Sequence, residues 1–309
     1  MARTLIALTA LAIAAAPALA GTQSVTVGAF TEIETRGAMN VVYQQGPARS
    51  VTLETASDDF SDAAISVKNG KLMIDRESLQ KRGLFGNQPR LQVTDDGRTV
   101  RVNGRQMPVY TVVVTSPELQ RIKVAQSSSA EVALNAAPRF EASASSASRI
   151  TMSGRSDQAS LQASSAGSID ASAFRAGTVK ASASSSGTVD AGASGVGTQD
   201  LSASSSGRVS LVSTAPAAFS IRASSGAQVS VSGPCETVTM SASSGANVRA
   251  DDLRCSTATV TSSSGASVGV SAAATAEVQS SSGSSVSFAS NPPHRDVRRS
   301  SGASVSFTD

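Results

Sequence analysis

A block of the form Ser-Ser-(Ser/Ala)-(Gly/Ala)-x-x-Val recurs from Ser127 to Phe307, each copy closing on one β-branched residue. The closing residues run from Val132 through Ile150, Ile169, Val189, Val209, Val229, Val248, Val268 and Val286 to Val305, 18 to 20 residues apart. A period so close to 20 marks a solenoid, in which one repeat is one coil that cannot bury its own apolar face. A Ser/Ala/Gly-rich tract would otherwise read as a flexible linker. A linker, however, has no reason to keep aliphatic residues in phase over ten repeats. The pattern predicts an all-β chain: a parallel β-helix of about ten coils over residues 126–309, with an N-terminal β region over residues 21–125 leading into it.

Number each repeat from its closing Val or Ile as zero. Position +2 is apolar in every copy, from Leu134 to Phe307, and so is position −8, from Val124 to Val297. This alternation places two short strands in each coil, at −10 to −6 and at −1 to +2. The Ser-Ser-Gly segment is the corner between them. Gly at −2 or −3 supplies the positive φ of the turn, and serine hydroxyls bond to it locally. The inward residues are small, so the interior is narrow and has no room for a ligand.

Residues 21–125 carry more charge and lack the serine block. Asn40–Gln44 and Ser50–Thr55 read as strands joined across Gln45-Gly46-Pro47. Ile65–Lys68 and Lys71–Asp75 flank Asn69-Gly70, a type I′ hairpin signal. Val109–Thr115 reads as a buried strand, and Ser57–Ala64 as a short helical turn. Arg76–Arg105 is a basic excursion with turn signals at Asp96-Gly97 and Asn103-Gly104. It is either an anion- or surface-binding loop or a solvated excursion, and the second reading is favoured because charge runs in loops are usually just solvated.

Arg3, the apolar run Leu5–Ala15 and the small-x-small site Ala18-Leu19-Ala20 make residues 1–20 a secretory signal. This predicts export to the periplasm or cell surface, with Gly21 the first mature residue. No Cys follows the cleavage site, which argues against a lipoprotein, and no later run is long enough for a membrane helix. The formal net charge of +3 is small, and the repeats have no basic face of the kind nucleic acid needs. The two cysteines, Cys235 and Cys255, are one repeat apart and fall in the same return segment of adjacent coils. Stacked coils bring such positions to about 5 Å, within reach of a disulfide, and an exported chain meets an oxidising compartment. The expectation is a Cys235–Cys255 bond.

Phe30-x-x-Ile33, then Val41-Val42-Tyr43-Gln44-Gln45-Gly46 and Val51-Thr52-Leu53-Glu54, resembles the opening of the head GIN domain. That is a bacterial domain of unknown function labelled an autotransporter adhesin. Gly70-Lys71-Leu72-Met73-Ile74 is similar to its next strand, and Val112–Ile122 to its entry into the repeats. The likeness runs from about Phe30 to the C-terminus, with Arg76–Arg105 longer than the usual connection. It implies a right-handed β-helix in an exported bacterial protein, and brings no catalytic residues with it.

Little in the chain suggests chemistry. His294, the only histidine, follows Pro292-Pro293 and reads as an exposed loop residue, remote from any Ser-His-Asp arrangement. No Gly-x-Ser-x-Gly elbow stands in a strand-to-helix context. Asp251-Asp252 lacks calcium-site spacing. Asp170 and Asp190 share position +1 in adjacent coils, which sets their Cα atoms about 4.8 Å apart on the outer face. Paired carboxylates serve glycosidases at about 5–5.5 Å, but no aromatic platform or long loop accompanies them, so a solvated pair is the favoured reading. The expectation is a non-catalytic exported β-helix without cofactor or metal, serving adhesion, envelope structure or glycan binding. Its partners would be cell-envelope polysaccharide or surface protein. The alternative is a polysaccharide-active enzyme using Asp170 and Asp190. A third reading, an ice-binding solenoid, asks for flat Thr-x-Thr rows, whereas the serines fall at corners.

Overall fold

The computed structural model describes residues 21–80, 91–93 and 99–308. The signal expected over Met1–Ala20 and the Asp96-Gly97 turn lie outside them. Among the described residues the fold is nearly all-β, a solenoid of about nine turns with a β region at its N-terminal end. No helix among the described residues is long and apolar enough to cross a membrane.

Each coil is two strands joined by a tight corner on one side. On the other side is a bend where the register slips, as between Ser230 and Gly233. Coils stack in parallel register. Ile169 lies over Val189 and Val189 over Val209, while Ala181 lies over Leu201 and Leu201 over Ile221. These side chains are fully buried, each large aliphatic contributing about 1.5–3 kcal/mol. Phe140, Phe174, Phe219 and Phe288 fill the wider parts of the interior. The first repeat departs from the expected register. Ala130, not Val132, stacks on Ile150, and Val132 stacks on Met152. A shift of two residues keeps the same side chains inward, which is why the alternation alone conceals it.

The corners are type I′ turns. Ser165 and Ala166 have φ of 49° and 61°, and Gly167 N–H donates to Ser164 O at 2.8 Å. The expected role of glycine holds only in part. Gly226, Gly245, Gly265, Gly283 and Gly302 do sit at positive φ. In the middle coils Ser and Ala take the left-handed positions, and Gly167, Gly187 and Gly207 follow them. There a Cβ would fall 2.3 to 2.4 Å from a carbonyl oxygen of the preceding coil. Those three glycines are required by close approach between coils, not by φ. The corners also bond to one another. Ala38 N–H donates to Gln126 O, Ser127 to Ser146, Ala147 to Ser165, and so on to Gly283 and Ser301.

The N-terminal strands are β1 (Gly21–Ser24), β2 (Glu32–Thr35), β3 (Met39–Gln45), β4 (Ser50–Thr55), β5 (Ala63–Lys68) and β6 (Lys71–Arg76). After them come the single turn α1 (Glu77–Gln80) and β7 (Leu91–Val93), β8 (Thr99–Val102) and β9 (Arg105–Pro108). Then follow β10 (Tyr110–Ser116), β11 (Arg121–Val124) and β12 (Ser129–Ala144). β2 pairs in parallel with β11, and β3 with β12. Residues 32–45 are thus already a coil, with Gly37 and Ala38 at φ of 89° and 54° as its corner. On the far side β6 pairs in parallel with β2, and β10 with β3. β4 does not form a hairpin with β3, because β10 lies between them, antiparallel to β4. The β5–β6 hairpin turns on Asn69 and Gly70, both at positive φ. Antiparallel β1, β4 and β5 end the parallel stack on this side. Ser57–Ala64 forms no helix. Ser61 donates from N and Oγ to Asp59 Oδ1 at 3.0 and 2.6 Å, and this local Asx bonding turns the chain into β5.

The excursion between β6 and β10 stands where a corner would be. Its described part is the small antiparallel sheet β7–β8–β9, with Val100 and Val102 buried against Ala38. At its root is Arg76, which is completely buried. Its Nε donates to Gly37 O, and its Nη2 to Ala38 O at 3.4 Å and Pro108 O at 2.8 Å. Its Nη1 meets Asp62 Oδ2 at 2.9 Å, and the guanidinium lies 5.0 Å from the Tyr110 ring centre. Gly37 and Ala38 are the first corner of the stack. Arg76 therefore supplies the donors that another coil would have given, and caps the column of corners.

Candidate functional site

In each coil the strand preceding the corner turns alternate side chains outward, and parallel stacking aligns them in rows. One row passes from Lys180 through Asp200, Ser220, Thr239 and Thr259 to Glu277. Its neighbour passes from Ser182 through Ser202, Arg222, Ser241 and Thr261 to Gln279. Neighbours within a row stand about 4.8 Å apart, so nine turns give a face roughly 40 Å long. Arg222 reaches Asp200 at 3.1 Å, but both are well exposed, and such a pair is worth little. The hydroxyls of Thr239, Ser241, Thr259 and Thr261 have no partner among the described residues and are free to bond outward.

The threonines correct one expectation. Thr237-x-Thr239-x-Ser241 and Thr257-x-Thr259-x-Thr261 do align Thr-x-Thr segments on one sheet, in register with each other. The patch covers two coils, with Thr275 in a third, and is bordered by Arg222 and Glu277. Corner serines masked this in the sequence because they outnumber the threonines.

Recesses mark both ends of the face. Toward the C-terminus two shallow hollows of about 300 and 290 Å³ share Thr261, Gln279 and Arg298. Toward the N-terminus a groove of about 620 Å³ opens between the link at residues 117–120 and the bend at residues 135–139. Its floor is a row of alternating charge. Glu32, Arg121 and Glu141 are successive register partners there, and Lys71, which does not line the groove, stands next in the row 3.8 Å from Glu32. Arg121 bonds Glu141 at 2.7 Å and Glu32 at 3.3 Å, and the bond to Glu141 raises the guanidinium pKa further. Sequence reading missed this groove because its residues come from four separate segments. The only signal was opposite charge at equivalent positions, and it is invisible until β2 is known to be a coil.

Asp170 and Asp190 are direct register partners on the other sheet. Ser172 donates to Asp170 Oδ1 from its hydroxyl at 2.6 Å and its N–H at 3.1 Å, which holds that carboxyl below its ordinary pKa. Burial, and then the Asp170 charge, push Asp190 up, with Arg208 opposing. Two carboxyls with pKa values pushed apart suit acid–base roles, but neither lines any recess described above. His294 opens the strand His294–Arg299, paired with Thr275, and is exposed. Asp251 and Asp252 are exposed as well. Cys235 and Cys255 are joined, with Cα atoms 4.3 Å apart, and tie two adjacent coils at the bend.

Fold and face together define a class, a β-solenoid that presents a long polar surface. The chain belongs to the family described as "Putative auto-transporter adhesin, head GIN domain", whose model matches residues 29–196 and 195–292. Among solved structures it is similar to one described as a putative lipid binding protein from Parabacteroides distasonis ATCC 8503. The identity is 15% and the TM-score 0.46, over 94% of this chain and 96% of that one. It is also similar to a putative adhesin from Parabacteroides merdae ATCC 43184, at 10% identity and TM-score 0.44, over 94% and 96% of the two chains. A search among curated proteins finds no match.

Proposed function

We propose that this protein is an exported, non-catalytic adhesion protein that docks on cell-envelope polysaccharide or surface protein through its long polar face. The observation that carries this reading is the aligned rows of hydroxyl and charged side chains, free of internal partners around Thr239, Ser241, Thr259 and Thr261. A rigid row of donors and acceptors suits an extended polymer, because the protein loses little conformational entropy on binding. Membership of an adhesin-labelled family is in keeping with it. The test is retention of the exported protein on peptidoglycan, outer-membrane material and a polysaccharide panel. Retention on at least one supports the reading, and silence on all of them overturns it.

One observation favours a second reading, a polysaccharide-active enzyme: the opposite pKa shifts of Asp170 and Asp190. Release of reducing ends or unsaturated products that vanishes in both Asp170→Asn and Asp190→Asn would establish it in place of the first.

A further inference from the structure

We propose that the groove at the N-terminal end of the polar face binds an amino sugar, with Asp157 pairing the sugar ammonium and Arg139 and Gln158 bonding its hydroxyls. This rests on the adhesion reading and names the ligand class for one place on that face. At about 620 Å³ the groove falls within the usual range of ligand sites, about 300–1,000 Å³. Its walls carry four carboxylates, Glu32, Glu118, Glu141 and Asp157, against two guanidiniums, Arg121 and Arg139.

The internal pairing leaves specific groups free. Arg121 is held between Glu141 and Glu32. Glu118 accepts from Gln120 Nε2 at 2.6 Å. Arg139 donates one Nη2 hydrogen to Gln158 Oε1 at 3.1 Å and meets no carboxylate within ion-pair distance among the described residues. That leaves its remaining N–H groups, and the Gln158 amide N–H, directed to other partners. The Asp157 carboxylate makes no hydrogen bond or ion pair among the described residues. The site thus offers two carboxylates that meet no cation, Asp157 and the amide-bonded Glu118, beside donors and acceptors on adjacent strands, while Glu32 is shared between Arg121 and Lys71.

A uronate would find a counter-charge only in Arg139 and would face both Glu118 and Asp157. A neutral sugar leaves Asp157 without a counter-charge. A ring bearing an ammonium next to hydroxyls satisfies both sets of groups, and Pro138 on the same wall offers an apolar surface to the C–H side of the ring. A flexible lysine-rich peptide would answer the charge but bring no hydroxyls to Arg139 and Gln158.

The test is calorimetry of the exported chain with a β-1,4-glucosamine tetramer, its fully N-acetylated counterpart, a galacturonate tetramer and a tetralysine peptide. The expected result is that the glucosamine tetramer binds at least about tenfold more tightly than the other three. Asp157→Asn should lower that affinity about tenfold or more at unchanged melting temperature, as should Arg139→Ala. Equal binding of the N-acetylated tetramer or of tetralysine would overturn the assignment, as would affinity unchanged in Asp157→Asn. Retention on envelope polysaccharide that survives Asp157→Asn would remove the groove and leave the adhesion reading standing. Loss of all retention in the unaltered protein would remove both.

Discussion

Replacing Arg76 with Met should unfasten the N-terminal end of the solenoid. The side chain is completely buried and donates to Gly37 O, Ala38 O and Pro108 O as well as pairing with Asp62. Met matches much of the volume but supplies no donor. Asp62, 3% exposed, would keep the Ser78 N–H at 2.8 Å as a partner and lose its counter-charge. Breaking a buried pair from one side costs about 3–5 kcal/mol. Each carbonyl left without a donor adds about 1 kcal/mol where water cannot reach it. Part of this is recovered as the Met side chain packs on Tyr110. We expect a loss of about 4 kcal/mol, read from the urea midpoint of residues 21–309, with hydrogen exchange accelerating first around Gly37 and Ala38. Arg76→Met combined with Asp62→Leu should restore a large part of the loss, because an apolar pair of similar volume often stands in for a buried ion pair at little cost. A loss below about 1 kcal/mol in Arg76→Met, or no recovery in the double variant, would refute the capping role.

Gly187→Ala should cost several times more stability than Gly245→Ala. A Cβ at Gly187 lies 2.4 Å from Ala163 O, whereas Gly245 has open space and meets only its φ of 70°, a penalty of about 1–2 kcal/mol. Urea melts that rank the two the other way would contradict the two glycine roles. The Cys235–Cys255 bond predicts that protein from the exported fraction, alkylated while denatured but unreduced, takes up no alkyl group by intact mass. Two groups per chain would show free thiols. Both tyrosines resist ionisation. Burial is the chief cause for each, and it pushes Tyr110 up to about 12 and Tyr43 in the same direction. Because the folded pKa values lie above the ordinary 10, their effect on stability is nil below pH 10 and unfavourable as pH rises towards 12. An ultraviolet titration should show less tyrosinate in the folded protein than in the unfolded chain near pH 10, and equal titration of the two there would contradict it.

The repeat was legible because a buried row imposes one residue type at one phase, and Val189, Val209 and Val229 obey that rule in the structure as in the sequence. What the sequence concealed has physical reasons. Ala130 serves as well as Val where Ile150 fills the neighbouring space, so the first repeat hid its register. The coil at residues 32–45 needs no serine block, because Arg76 and the strands β6 and β10 replace the neighbour it would otherwise require. Those strands come later in the chain, and local pattern cannot report an insertion out of order. The Asp170–Asp190 pairing followed from spacing alone. The groove did not, since it depends on how two bends and a link meet.

The most direct test of the polar face is binding of the protein to immobilised envelope polysaccharide, compared between two variants on opposite sheets. Thr239→Arg with Thr259→Arg crowds the proposed face, while Ser230→Arg alters an exposed position on the other sheet, in register with Ser210 and Arg249. The account predicts that the threonine variant loses at least about tenfold in affinity and that Ser230→Arg binds as the unaltered protein does. Equal binding by all three, or a loss confined to Ser230→Arg, would contradict it.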